Sequence, residues 1–180
     1  MFKVKTYVYL VAAIVLAGAG ALIFWGSMFA KNMVHDNLIE QKIVFPSAEQ
    51  LNAEGDAYLV KYAGQTVDTG DEAYAYSKYI KGHLEKVANG QTYSEVSAAY
   101  QKDKTNQTLS AQRQTLFMGE TLRGLLLSAY GWGLMGIIAF WVSLGLFVAA
   151  VLAAVAYVHA ITAVPAKAGV KKASKSSRRK

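Results

Sequence analysis

Three histidines, His35, His83 and His159, are the only imidazoles in the chain, and with nearby carboxylates they are its best candidates for metal chemistry. His35 precedes Asp36, and His83 stands two places before Glu85. Two imidazoles and a carboxylate can ligate zinc or non-haem iron. His159 follows a charge-free run of 35 residues, so a membrane crossing there would separate it from the other two. A helix-surface role accounts for His35 and His83 more simply. Glu54, Asp56, Asp68, Asp71 and Glu72 form a loose acidic cluster, but without the spacing of an EF-hand loop. Gly131-Trp-Gly133-Leu-Met-Gly136 matches the GxGxxG string of dinucleotide sites. That chemistry needs a preceding strand and a later acidic residue, and no acidic residue follows here. The chain has no cysteine, which removes disulfides, thiolate metal sites and cysteine nucleophiles together. The expectation is therefore no catalytic residue, no metal ligand and no cofactor.

The elements that would position these residues are read from charge. Residues 6–30 and 124–158 carry no charged side chain, over 25 and 35 positions. About 20 apolar residues in a helix span a bilayer core, so both runs qualify as transmembrane helices. All twelve acidic residues lie between them, in 31–123, with ten Lys/Arg. The other nine basic residues flank the runs: Lys3, Lys5, Lys167, Lys171, Lys172, Lys175, Arg178, Arg179 and Lys180. The positive side faces the cytoplasm, which puts both termini inside. The expected fold is an all-α membrane protein: a two-transmembrane-helix hairpin with a mostly helical extracytoplasmic segment. Its parts are a cytoplasmic N-terminus (1–5), transmembrane helix 1 (6–30), the extracytoplasmic segment (31–123), transmembrane helix 2 with outer turns above the membrane (124–158), and a basic cytoplasmic tail (159–180). A cleavable signal peptide is the rival reading of the first run, although signal h-regions are shorter.

Between the runs, KNMVHDNLIEQKIVF has no breaker before Pro46, so the first helix should extend two or three turns past Ala30. Residues 46–70 read as irregular, punctuated by Pro46, Gly55, Gly64 and Gly70, with a short strand placed in 57–67. Residues 71–89 predict an amphipathic helix with Ala73, Tyr76, Ile80, Leu84 and Val87 along one stripe. Thr92-Tyr-Ser-Glu95 is a capping-box pattern that starts another. From Ser110 no proline occurs until Pro165, so one helix should rise from the outer segment through the membrane.

Small residues four apart, Ala13, Ala17 and Ala21 and again Gly145, Ala149 and Ala153, suggest close packing of the two spans in lipid. Neither run holds a charge, which argues against an ion or proton path within this chain. Trp25, Trp132 and Trp141 would position or pack the spans, and Glu120 with Arg123 would mark the outer boundary. Seven of eleven tyrosines fall in the outer segment. Core filling explains them, and Tyr74, Tyr76, Tyr79 and Tyr93, with Trp132, are the candidates for an interface. The last fourteen residues hold seven positive and no negative charges. Lys171, Lys172, Lys175, Arg178, Arg179 and Lys180 should lie on anionic membrane lipids. No aromatic or folded reader accompanies them, so nucleic acid is not an expected partner. Asn106-Gln-Thr108 forms a glycosylation triplet that matters only in a secretory pathway.

The runs AYSKYIKGHLEKVANGQTYSEVS and RQTLFMGETLRGLLLSAYGWG resemble a group of small two-span actinobacterial membrane proteins of uncertain function. The residues carrying the resemblance are Ala75, Tyr76, His83, Leu84, Glu85, Gly90, Thr92, Tyr93, Glu95, Leu122 and Arg123, and the match covers about a third of the chain. It implies a bacterial plasma membrane, the cell inner membrane. Members of the group often carry the label aromatic ring-opening dioxygenase, which the scattered histidines here do not support. The functional expectation is a non-catalytic accessory or stabilising subunit of a larger integral membrane protein complex, a respiratory or membrane-bound oxidase assembly being one such partner. The alternative is a free-standing homo-oligomeric envelope protein whose outer segment binds or senses a ligand.

Overall fold

The computed structural model describes residues 2–162, with side chains from Thr6 onward. Five α-helices account for most of it: α1 (Phe2–Glu40), α2 (Ala48–Glu54), α3 (Gly70–Val87), α4 (Tyr93–Lys102) and α5 (Gln107–Thr162). A 3-10 helix covers Ala57–Tyr62, and there is no strand among the described residues. α1 and α5 are long and apolar enough to cross a membrane. In their most apolar stretches only 6% and 11% of residues are buried. A soluble core helix would be mostly buried there, so these surfaces need a non-aqueous cover.

The chain divides into two compact units. One joins the residues before Trp25 to those after Phe140. In it Gly20 is buried, and a Cβ at that position would stand 3.2 Å from the Phe147 ring. Ala150 is buried too, while Val11, Ile14, Leu22, Val148, Leu152 and Val155 are exposed.

The other unit is Trp25–Phe140. α1 enters it and continues unbroken to Glu40, ending with Lys42 at a left-handed φ of 52°. It contributes Val34 and Leu38 to a core shared with Phe45, Leu51, Leu59, Val67, Ala73, Ala75, Tyr79 and Leu126. A second cluster joins Leu84, Ala88, Val96 and Leu116. Leu126, Ala129 and Gly133 all belong to this unit, so the first third of the charge-free run 124–158 packs with it.

Two local expectations are corrected. Residues 46–70 are not irregular throughout, because Ser47 caps α2 by accepting from Gln50 N–H, and Gly55 closes it at φ 85°. No strand forms in 57–67. Burying Leu59 draws Ala57–Tyr62 into a 3-10 turn instead. Among the described residues one antiparallel bridge, Val44 with Thr66, remains, with Gly64 turning the chain beside it at φ 70°. α3, the box at Thr92 and the α5 run past Ser110 form as their sequences predict.

Candidate functional site

α3 organises the polar chemistry of the Trp25–Phe140 unit. Thr69 caps it: its hydroxyl accepts from Glu72 N–H, while Glu72 Oε2 accepts from the N–H groups of Asp68 and Thr69 at 3.0 and 2.9 Å. Burial pushes Glu72 up, but these donors outweigh it and leave the carboxyl below its usual range. Burial raises Asp68, and the neighbouring Glu72 adds to the rise. His35 Nδ1 stands 3.6 Å from Asp68 Oδ2.

One face of α3 meets the end of α2. Lys86 Nζ donates to the Glu54 carbonyl at 2.7 Å, and Gln50 Nε2 to Glu54 Oε1 at 2.9 Å. His83 Nε2 lies 3.9 Å from Glu54 Oε2, and its ring packs on Tyr79 at 4.7 Å. The Gln50 amide, helped by Tyr79, His83 and Lys86, holds the Glu54 carboxyl low. Burial pushes the Tyr79 phenol up to about 12, with the Glu54 carboxylate adding to it. His35 and His83 thus serve separate acid partners, and no cluster of three metal-ligating side chains occurs among the described residues. The acidic cluster read from sequence is dispersed among these pairs.

The adjoining face of α3 borders a cavity of about 480 Å³. Asp56 and Tyr58 enter it from the start of the 3-10 helix, Tyr74, Lys78, Lys81, Gly82 and Glu85 from α3, and Arg123 and Leu127 from α5. Tyr74 stacks on Tyr130 at 4.6 Å, with Lys78 Nζ 4.3 Å above its ring. Lys81 pairs with Glu85 at 3.5 Å, and Arg123 with Glu120 at 2.8 Å. Asp56 is 7% exposed, and its Oδ2 has no hydrogen-bond partner. The sequence reading did not assemble this site. Tyr74, Lys78, Lys81 and Glu85 recur at helical spacing and were legible as a face, whereas Asp56 joins them only through the turn after α2.

The tyrosines read as interface candidates divide. Tyr79 is buried and Tyr76 half-buried, edge-on to Phe45 at 5.2 Å. Tyr74 and Tyr93 are exposed, the latter 6.0 Å from Phe117, and Trp132 is exposed on α5. Along the apolar helices, Ala13, Ala17, Ala149 and Ala153 are half-buried, and Ala21 and Gly145 exposed. The buried small residues fall at other positions: Gly20, Ser27 and Ala30 on α1, and Gly136, Ser143 and Ala150 on α5. Ser27 Oγ donates to the Gly136 carbonyl at 2.8 Å. Gly133 meets the Gly70 backbone, so glycines of the GxGxxG string serve close helix approach. Lys171, Lys172, Lys175, Arg178, Arg179 and Lys180 lie outside the described residues.

Compared with protein-family profiles, curated proteins and solved structures, the chain matches none.

Proposed function

We propose that the chain is a two-span protein of a bacterial plasma membrane, an actinobacterial one if the resemblance holds. Both termini are cytoplasmic, and it acts as a non-catalytic accessory subunit of a larger integral membrane complex. The observation that carries the reading is an apolar stripe on α5 that lipid does not reach. Gly136 sits against Ala30 and the backbone of Lys31, the first charged residue after the α1 apolar run. In this reading that level, rather than Glu120 and Arg123, is the outer membrane boundary on both helices. From there α5 continues to Leu125 and Phe117, eleven and nineteen residues further out, about 17 and 28 Å at 1.5 Å per residue. Phe117, Met118 and Leu125 are nevertheless 56–65% exposed. The same face, with exposed Thr121 and Ser128 between its apolar residues, leads to exposed Trp132, Met135 and Ile138 at the membrane. A cover continuous across that boundary is a partner helix that itself leaves the bilayer, as in a large integral membrane assembly.

Gentle extraction of tagged protein from its own membrane, native sizing and mass spectrometry test this. Stoichiometric, larger partner chains are expected. A small complex of this chain alone would overturn the reading in favour of a free-standing homo-oligomer that binds a ligand. The cavity beside Asp56 is the observation that favours that second reading.

A further inference from the structure

The cavity beside Asp56 is independent of the α5 stripe and has its own chemistry. A carboxylate removed from water and left without a counter-charge costs several kcal/mol. Asp56 is in that position: it is almost wholly buried, Oδ2 accepts no hydrogen bond, and no lysine, arginine or histidine pairs with it among the described residues. The cations lining the same cavity are engaged elsewhere. Lys78 rests on the Tyr74 ring, Lys81 on Glu85 and Arg123 on Glu120. The side chains of Lys81 and Glu85 are more than half exposed, so the carboxylate lies deep and the charged pair at the rim. Tyr58, whose hydroxyl faces Asp56, presents ring surface beside it, while the Tyr74 ring is taken up by Tyr130 and Lys78.

We infer that this cavity binds a small zwitterion, with its ammonium group on Asp56 beside the Tyr58 ring and its acidic group on Lys78 and Arg123. An ammonium gains both the carboxylate and the Tyr58 ring. The volume lies within the range of small-molecule sites. An amino acid and an aminophospholipid headgroup share this chemistry.

The test is calorimetric titration of the full chain in phosphatidylcholine nanodiscs. The probes are glutamate and O-phosphoethanolamine, with methylammonium and acetate as half-probes. Nanodiscs containing phosphatidylethanolamine form a separate arm, read as competition with the soluble probes. Saturable binding is expected for a molecule carrying both groups and not for either half. Competition identifies the lipid as the source, and its absence a soluble amine. Asp56→Asn should weaken binding roughly tenfold or more, the worth of a charge-assisted hydrogen bond, while leaving the melting temperature equal or higher. Gly82→Leu fills the cavity from α3, its Cβ standing 3.9 Å from Asp56 Oδ1, and should also abolish binding. The inference is overturned if no probe binds, if a half-probe binds as well as the whole, if both variants bind normally, or if Asp56→Asn lowers the melting temperature.

Discussion

Thr92 shows how much one side chain decides. Its hydroxyl accepts from Glu95 N–H, and Glu95 Oε2 accepts from Thr92 N–H at 2.7 Å, so two orphan donors at the start of α4 are satisfied together. Thr92→Ala should cost about 1 kcal/mol, read as a lower denaturation midpoint of the Trp25–Phe140 unit. Tyr79 gives a prediction in pH. A phenol near 12 in the fold and about 10 when unfolded stabilises fully below pH 10 and loses that contribution as pH rises towards 12. Absorbance titration should show a late-ionising tyrosine that disappears in Tyr79→Phe. The variant should also lose less stability between those pH values than the parent. The caps were legible because a threonine three residues before a glutamate is a local signal. Asp56 was not, since its burial depends on Leu51 and Leu59, which fold the turn around it only in the complete core.

Helix contacts in this chain turn on where a side chain is missing. A Cβ on Gly133 would meet the Gly70 Cα at 3.2 Å, and backbone cannot move aside as a side chain can. Gly133→Val should therefore cost about 1–3 kcal/mol through overpacking. Gly131→Ala, with nothing within 4 Å, should be neutral or slightly stabilising. Thermal melts of the two variants in one detergent check the contrast. Gly119 is tight against a side chain instead, its Cβ position overlapping that of Leu84, which would have to turn aside. The long helices and α3 were readable because their apolar patterns persist over many turns. α2 was lost to a reading that took Pro46 and Gly55 as loop punctuation, when the first precedes an N-cap and the second is a left-handed C-cap. The four-residue ridges read from the sequence do not coincide with the small residues that are buried. An apolar helix offers small residues on every face, and only its neighbour selects which are used.

For the whole molecule, charge and apolar surface together bear on topology. The chain lacks cysteine, so single cysteines report position cleanly. Lys104→Cys, in the loop before α5, should react with a membrane-impermeant maleimide added to intact cells. Lys175→Cys, in the basic tail, should react only after permeabilisation. The reverse pattern would invert the orientation, and labelling of both in intact cells would remove the two-span arrangement. The central claim is that a partner covers the outer stripe of α5, and photo-crosslinking in the native membrane tests it most directly. A photoreactive residue would replace Phe117 or Leu125, with exposed Lys104, in the loop before α5, as the control position. The account predicts adducts to one larger membrane protein from Phe117 and Leu125 and none from Lys104. Adducts only to a second copy of this chain, or none from any position, would contradict it.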